Sequence, residues 1–463
     1  MIPERLGPVL DEVRPLAQRF DAGGHQLYLV GGIVRDLVLG RPLQGGDIDL
    51  TTDARPERIT ELVAGWADAV WDQGARFGTI GLKKAGTIFE ITTHRDEAYT
   101  PESRKPDVSF AQEVEADLSR RDFTVNAMAL RVSGAADEAP ELIDPFGGVA
   151  DLAASVLRTP RSPEESFTDD PLRMLRAARF IAGYGLVPVD GLVAAIRALV
   201  GRLEIVSAER VRDEVCKLLV VDDPSAGLWF LVETGIADLV MPELPAMRVE
   251  QDPIHRHKDV LAHTIAVVAK TRPELLVRMA ALLHDVGKPK TRSIGPRGVS
   301  FHHHEVVGAR MARDRLRALR FPNEQVDDIS QLVYLHLRFH GYGDDVWSDS
   351  AVRRYVRDAG PLLHELNELT RCDCTTRNER KAQMLAARMD ALEARIAELR
   401  EREELEAIRP DLDGQAVMDH LGIPPGRAVG EALAMLLEAR LDEGPLDEAE
   451  AYRRLDGWWA ARG

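Results

Sequence analysis

The stretch Leu29-Val30-Gly31-Gly32-Ile33-Val34-Arg35-Asp36, followed by Asp47-Ile48-Asp49, decides how this chain is read. An apolar run, QLYLV, leads into the two glycines and an amphipathic pattern leaves them, so they join a strand to a helix. Without Cβ atoms, Gly31 and Gly32 let backbone N–H groups approach an anion such as a triphosphate, and the helix N-terminus adds its favourable dipole end. Residues two apart on a strand project to one face, so Asp47 and Asp49 point together. Adjacent carboxylates repel unless a cation sits between them, and hard oxygen donors suit Mg²⁺. Glu90, in the run FEITT, falls on another expected strand and offers a third carboxylate. Together these features have the layout of a two-metal phosphoryl or nucleotidyl transfer site. Separately, each half also fits a glycine-rich turn or a surface aspartate pair.

Around this stretch the pattern is mixed α/β. Leu6, Val9, Leu10, Val13, Leu16 and Phe20 recur at helical spacing and stop at Gly23-Gly24. Short runs DIDLTT, TIGLKK and TIFEITT read as strands, with helices expected from Arg55 to about Ala64 and again after Asp122. From about Asp169 onward the periodicity is helical, and Lys381 to about Ala407 reads as one long charged helix. Its broken apolar stripe is Met384, Ala387, Leu392, Ile396 and Leu399, which suits a partly solvated connecting helix. No internal repeat is present.

Composition narrows the classes. The chain has 463 residues, 45% of them hydrophobic, and no apolar stretch near the about eighteen residues of a membrane span, so no membrane partner is expected. Roughly two to four domains follow from the length. The start MIPERLGPVLDEVRP is too acidic and proline-marked for an export signal. Three cysteines, Cys216, Cys372 and Cys374, cannot build a disulfide framework; a cytoplasmic protein without disulfide-linked partners is expected. A net charge of -17 argues against coating nucleic acid by bulk electrostatics, while a local basic groove stays open.

After GGIVRD and DIDL come RRDFTVNAMAL at Arg120–Leu130, DPFGG at Asp144–Gly148, FTDDPLRMLRAARF at Phe167–Phe180 and ERVRDEVCKLL at Glu209–Leu219. In this order they resemble the successive motifs of the bacterial class II tRNA nucleotidyltransferase (CCA-adding enzyme) and poly(A) polymerase family, within the polymerase beta-type nucleotidyltransferases. The resemblance implies that Asp47 and Asp49 hold two Mg²⁺ ions. Glu90 is implied to help activate the 3'-hydroxyl of an RNA primer, which attacks the nucleotide α-phosphate with loss of pyrophosphate. Gly31, Gly32 and Arg35 are implied to contact the triphosphate. Arg121 and Asp122 are implied to meet phosphates and sugar, since a guanidinium fork suits phosphate and a carboxylate suits ribose hydroxyls; the plainer reading makes Arg120 and Arg121 a solvated helix entry.

The same resemblance makes Asp170 and Arg173, one helical turn apart, a protein template that reads the edge of cytosine or adenine, with Arg176 also at the nucleotide. An ordinary ion pair at that spacing is the alternative. Asp169 stands where the family commonly has glutamate, and Pro171 where alanine is frequent; a proline suits a first turn, so it sets where the helix starts. The polar segment between Thr93 and Arg120, with Pro101 and Pro106, is similar to the family's flexible loop that helps the site switch between nucleotides, or is a plain surface loop. A basic strip for RNA is required, with Arg158, Arg161, Arg176, Arg179, Arg202, Arg210 and Arg212 as candidates.

His263, His284, Asp285, His304, His336 and Asp373 spread six metal-ligand types over successive helices, with the His-Asp pair placed before a glycine stop. This set resembles the HD phosphohydrolase superfamily, where such residues bind one or two divalent metals that activate water; a decayed copy with structural histidines is the alternative. His302 and His303 are extra ligands or neighbours. The tail RPDLDGQAVMDHLGIPPGRAVGEALAMLLEARLDEG is similar to the family's tRNA-contacting segment.

The expected architecture is therefore α+β and multidomain. A nucleotidyltransferase head of mixed sheet and helices covers 1–150, an all-α neck with the base-reading motif 151–220, an HD-type body 221–380 and a helical, tRNA-contacting tail 381–463. The implied activity is template-independent addition of C and A (CCA) to the tRNA 3'-end from CTP and ATP, with two Mg²⁺ ions in the head and a divalent transition metal in the body. A poly(A) polymerase, or an enzyme adding only A or only CC, shares nearly all these motifs. An HD-type phosphohydrolase whose head merely binds nucleotides, or a non-catalytic RNA-binding protein, would not need three metal-ligating carboxylates.

Overall fold

The computed structural model describes residues 6–41, 47–100, 103–135, 138–249, 259–295, 298–339, 347–374, 379–403 and 408–462, with backbone alone for 96–100, 103–109 and 381. Contacts divide the chain into two compact units, Met1–Pro242 and Glu243–Gly463.

The first unit opens with α1 (Gly7–Ala22), whose buried face is Val9, Leu10, Val13, Leu16, Ala17 and Phe20, the stripe the spacing predicts. Strand β1 (Leu27–Val30), helix α2 (Gly32–Leu39), strand β2 (Ile48–Thr52) and helix α3 (Pro56–Val63) follow. After them come β3 (Ala69–Trp71), β4 (Thr79–Lys84) and β5 (Thr87–Thr93). The main sheet has seven strands in the order β3-β4-β5-β2-β1-β8-β9, with β8 at Ala129–Arg131 and β9 at Glu141–Ile143. Strand β1 runs antiparallel to both β2 and β8, whereas β2 and β5 are parallel. Every residue of β1 is buried, as a central strand covered on both faces requires.

Two local expectations change. The segment between Thr93 and Arg120 is not mainly loop: β6 (Arg95–Thr100) and β7 (Ser103–Phe110) form an antiparallel hairpin outside the main sheet, followed by α4 (Val114–Ser119). Residues 101–102, Pro101 among them, lie outside the described residues. The helix expected after Asp122 is instead a short 3₁₀ turn, Thr124–Asn126, leading into β8. Phe123, Val125, Ala127, Met128 and Ala129 are all buried, so this run has no polar face to give a surface helix; it threads the core and pairs with β1.

Helix α5 (Gly148–Ala153) and a short parallel pair, β10 (Val156–Leu157) with β11 (Val187–Pro188), lead to the helical layer. Helix α6 (Pro163–Asp169) starts with a capping box in which Ser162 and Glu165 satisfy each other's backbone N–H groups. Helix α7 (Leu172–Tyr184) begins directly after Pro171, and α8 (Asp190–Leu199), α9 (Ala208–Leu219), α10 (Ser225–Glu233) and α11 (Ile236–Val240) complete the unit.

The second unit is helical. It comprises α12 (Glu243–Ala246), α13 (Val260–Lys270), α14 (Leu275–Leu283), α15 (Lys288–Thr291) and the hairpin β12 (Ser293–Gly295) with β13 (Gly298–Ser300). Helices α16 (His304–Ala318), α17 (Asn323–Leu335), α18 (Asp349–Ala359) and α19 (Leu363–Asp373) follow. Helix α20 (Glu379–Arg402) ends before the expected point, and residues 404–407 lie outside the described residues. It buries Met389, Leu392, Ile396 and Leu399, leaving Met384 exposed, so the stripe is a packing seam along much of its length. Helices α21 (Gly414–Leu421), α22 (Arg427–Glu443) and α23 (Glu448–Ala460) close over their own core of Leu412, Val417, Val429, Leu436 and Leu455. Cys216, Cys372 and Cys374 are free thiols. Among the described residues no helix is long and apolar enough to cross a membrane.

Helix α4 carries the fully buried Asp117, which accepts from Arg120 at 2.7 Å and from Arg121 at 3.1 Å. Burial by itself would raise this carboxyl, but the two guanidiniums outweigh it and hold it down at about 2. A depressed carboxylate stabilises the fold above its unfolded value, and that contribution disappears as pH falls from about 4 toward 2. Asp117→Asn is expected to destabilise the first unit by about 3 kcal/mol at pH 7, because it removes the buried negative charge that two arginines share. The gap from wild type narrows at pH 3, where the wild-type carboxylate is itself being protonated. Denaturation midpoints at the two pH values check this, and equal midpoints at pH 7 would refute it.

Candidate active site and metal centre

In the parallel pair β2/β5, Asp49 is the register partner of Glu90, so period-two alternation sends both side chains to one face. Asp47 lies two residues before Asp49, just ahead of β2, and all three carboxylates reach solvent. Asp49 nevertheless stands among charged neighbours. Burial raises its carboxyl above the ordinary range, Glu90 and Asp47 add to the rise, and Arg121 opposes it. Facing these groups is the start of α2. Gly31 caps that helix with φ 74°, a left-handed value that favours glycine, and a Cβ there would stand 3.0 Å from Nη1 of Arg121. Arg121 in turn is aimed by Asp117. The structure thus places Asp47, Asp49 and Glu90 within reach of Arg121, and Arg121 beside Gly31, while Gly32 lies against Arg35.

The other expected nucleotide residues lie deeper. Arg35 is buried; it donates from Nε and Nη2 to Asp36, each at 3.0 Å, and from Nη1 to Asn126 at 2.7 Å. Asp122 accepts from the Phe123 N–H at 2.8 Å, from Asn126 at 3.0 Å and from Nε of Arg176 at 2.8 Å. Burial opposes its ionisation, but Arg176 and the Asn126 bond hold it far below the carboxylate range. Arg176 reaches on to Glu214 at 3.4 Å, where Arg179 also donates at 2.8 Å. Asp170 and Arg173 are not an ion pair. One Asp170 oxygen accepts from the Leu172 N–H at 3.1 Å and the other from Arg210 at 2.9 Å. Arg173 is buried, donating to the Ser166 hydroxyl at 2.8 Å and to the Arg120 carbonyl.

The arginines offered as a basic strip are mostly committed. Arg158 pairs with Asp151, Arg161 with Asp169, Arg176 and Arg179 with Glu214, Arg210 with Asp170 and Arg212 with Asp213, while Arg202 donates to the Thr168 carbonyl. An acidic chain spends its arginines internally, and only a folded chain reveals which. Sequence reasoning also missed Asp117, Asn126 and Glu214. Glu214 had a visible signal, a carboxylate among apolar positions of a helix; Asn126 had its spacing of one turn from Asp122.

In the second unit all six expected ligands converge. Donor atoms of His263, His284 and Asp373 form one cluster and those of Asp285, His304 and His336 a second, each with all atoms within 4.8 Å. Among the described residues no comparably tight cluster occurs in the first unit. Asp285 bridges the two clusters, with one oxygen 3.3 Å from His304 Nε2 and the other 3.2 Å from His284 Nε2. Nδ1 of His284, His304 and His336 lies 2.7, 2.8 and 2.6 Å from the carbonyl three residues earlier. Those bonds occupy each Nδ1 and turn each Nε2 inward. Burial pushes His284 down, yet Asp285 and Asp373 win and raise it to about 10; burial and the neighbouring His284 drop His336 to about 3. Lys288 lies 2.6 Å from Asp285. Gly287 permits the geometry, since a Cβ there would meet the His304 carbonyl at 2.2 Å. His302 and His303 are exposed and join neither cluster.

Comparison with known proteins places these features in a family. Residues 27–158 match the Poly A polymerase head domain, residues 191–247 the probable RNA and SrmB-binding site of polymerase A, and residues 260–402 the HD domain. An A-adding tRNA nucleotidyltransferase of Deinococcus radiodurans is 34% identical over 443 residues, 92% of this chain and 94% of that protein. A CCA-adding enzyme of Latilactobacillus sakei is 36% identical over 254 residues, covering 53% of this chain and 61% of its own length. The crystal structure of the Bacillus stearothermophilus CCA-adding enzyme in complex with CTP superposes with a TM-score of 0.73 at 25% identity, covering 98% of both chains. The Thermotoga maritima CCA-adding enzyme, at 21% identity and a TM-score of 0.53, shares the fold. A mixed-sheet head, a helical layer and an HD region in this order, matched along nearly the whole chain, mean that the protein belongs to the CCA-adding enzyme and poly(A) polymerase family with an HD domain.

Proposed function

We propose that the chain adds C and A nucleotides to the 3'-end of tRNA, taking them from CTP and ATP without a nucleic-acid template. The observation that carries this reading is the Asp49–Glu90 register pair, with Asp47 two residues before it, facing the Gly31 turn and Arg121. The donor set fits Mg²⁺ by its chemistry: Asp49 and Glu90 are register partners with Asp47 two residues away, and beyond the effect of burial Glu90 and Asp47 raise Asp49, a repulsion a divalent cation offsets. Asp47 and Asp49 would hold two such ions, and bound Mg²⁺ supplies charge neutralisation at the phosphoryl oxygens.

The chain's own groups do the rest. Arg121 and the backbone N–H groups opening α2 grip the triphosphate. Asp170, steadied by Arg210, and Arg173, steadied by Ser166, read the base edge. Glu90 receives the proton of the primer 3'-hydroxyl as its oxygen bonds to the α-phosphorus; the bond from that phosphorus to the bridging oxygen breaks and pyrophosphate leaves. Arg35, Asp122 and Arg176 act from behind, by positioning α2 and α7 through their buried hydrogen bonds.

A second reading, addition of A alone to tRNA that already ends in CC, is favoured by one observation: the relative aligned with 92% of this chain is an A-adding enzyme. For the second unit we propose a divalent metal centre that cleaves phosphoester bonds with water. The fit lies in the inward Nε2 atoms and the bridging Asp285, a donor set suited to Mn²⁺, Ni²⁺ or Co²⁺. Bound metal there supplies an activated water.

Asp47→Asn or Asp49→Asn is expected to lower nucleotide incorporation by about a thousandfold or more while the fold is kept. The assay uses tRNAs ending at the discriminator base, at C and at CC, each with labelled CTP or ATP. Wild-type extension of the first two by CTP supports CCA addition; extension of the CC end alone, by ATP, supports the second reading. Incorporation within about twofold of wild type by either folded variant would remove the site. Separately, replacing His284 and Asp285 together by alanine should abolish stoichiometric metal, measured by elemental analysis after Mn²⁺, Ni²⁺ or Co²⁺ loading, with nucleotide addition nearly unchanged. Wild-type protein that takes up no ion after such loading would rule the centre out.

A further inference from the structure

Helix α7 starts at the Asp170–Arg173 motif and ends at Tyr184, whose ring stacks on Phe180 at 5.3 Å with 21° between the planes. Two guanidiniums from around α2 lie over that ring. Arg35, in α2, has its Cζ 4.2 Å from the Tyr184 centroid, and Arg41, just past the end of α2, stands at 4.4 Å. Both Nη atoms of Arg41 also donate to the Gly183 carbonyl at 3.3 Å. Arg35 lies 5.4 Å from the Phe180 ring, over which Arg179 stands at 4.8 Å. Planar guanidiniums on aromatic faces are attracted by the ring quadrupole, and the attraction strengthens where water is partly excluded. Tyr184 is half-buried, and Arg35 is already fixed by Asp36 and Asn126. The stack therefore ties the helix that opens at the triphosphate turn to the far end of the base-reading helix.

We propose that Tyr184, clamped by Arg35 and Arg41, is a positioning residue that sets the separation between the triphosphate grip at α2 and the base-reading residues at the start of α7. The inference rests on the nucleotidyl-transfer reading above and adds a determinant of its specificity. Phosphate attraction falls off gently with distance, whereas base-edge hydrogen bonds fail within a fraction of an ångström and with modest misalignment. Loosening the link between the two helices therefore costs base discrimination before it costs triphosphate affinity. Tyr184 and Arg41 also line a cleft of about 960 Å³ that reaches Asp47, one of the three carboxylates.

The test compares wild type, Tyr184→Phe, Tyr184→Leu and Arg41→Gln in the full chain, with tRNA lacking its last nucleotides and each of the four nucleoside triphosphates. Tyr184→Leu is expected to raise UTP and GTP incorporation relative to CTP or ATP by about tenfold, lowering kcat while KM moves less than about threefold. Tyr184→Phe keeps the ring and should keep the wild-type ratio. Arg41→Gln, at an exposed position, should shift the ratio in the same direction by a smaller factor, and it decides the matter if circular dichroism finds Tyr184→Leu unfolded. A wild-type ratio in both Tyr184→Leu and Arg41→Gln overturns the clamp, as does a rise in KM with the ratio unchanged, which plain packing would produce. Equal effects of Tyr184→Phe and Tyr184→Leu overturn it too, since they would assign the effect to the hydroxyl. Wild-type protein that adds no nucleotide to any tRNA overturns the underlying reading itself, an outcome visible without any variant.

Discussion

The buried carboxylate of Asp122 is the point on which the first unit turns. It accepts from the Phe123 backbone and Asn126 on one oxygen and from Arg176 on the other. Asn126 passes the connection to Arg35 of α2, and Arg176 passes it to Glu214 of α9. Four segments far apart in sequence are thereby held by largely charge-assisted bonds in a partly dry setting, where each bond is worth more and each vacancy costs more. Removing Arg176 would leave the buried Asp122 charge without its ion pair, a loss of roughly 3 to 5 kcal/mol. The network explains why the chain enters a 3₁₀ turn at Thr124–Asn126 in place of a helix: the turn lets Asn126 fold back onto Asp122 while its apolar neighbours fill the core.

On the proposed reading, this arrangement separates the groups that would meet substrate from those that would aim them. Asp47, Asp49, Glu90 and Arg121 stand at the open face of the sheet, and the buried arginines stand behind it. The division reconciles a net charge of -17 with a chemistry of polyanions. Positive charge is placed locally, at one guanidinium and one helix start, with no spread over a basic surface. Arg176, Arg179 and Arg210 of the helical layer cancel carboxylates within the fold.

The second unit solves a different problem, gathering six polar ligands inside a helical core. Three histidines each give Nδ1 to a carbonyl of their own helical turn, so orientation is set by local backbone and not by distant partners. Gly287 then lets the start of α16 approach closely enough for His304 to meet Asp285. The adjacency of His284 and Asp285 to a glycine is thus a packing requirement as much as a chemical one.

Much of the head is legible in the order of its amino acids. Period-two alternation is a local property, so Asp49 and Glu90 have to leave their strands on definable faces; the Gly-Gly step between a strand and a helix and the 3.6-residue stripe of α1 are local in the same sense. The residue types of the HD set are also readable, because few other roles combine histidines and aspartates on successive helices. What tertiary structure alone decided was pairing. Asp122 and Arg176 are 54 positions apart, and nothing in their neighbourhoods distinguishes a buried bond from a nucleotide contact. The same holds for Asp170, whose partner is Arg210 and not Arg173, and for Tyr184 beneath two arginines of the head. A guanidinium reaches several ångströms in any direction from its backbone, so the sequence names the charges, and only the packing of α2, α7 and α9 around the sheet selects which of them meet.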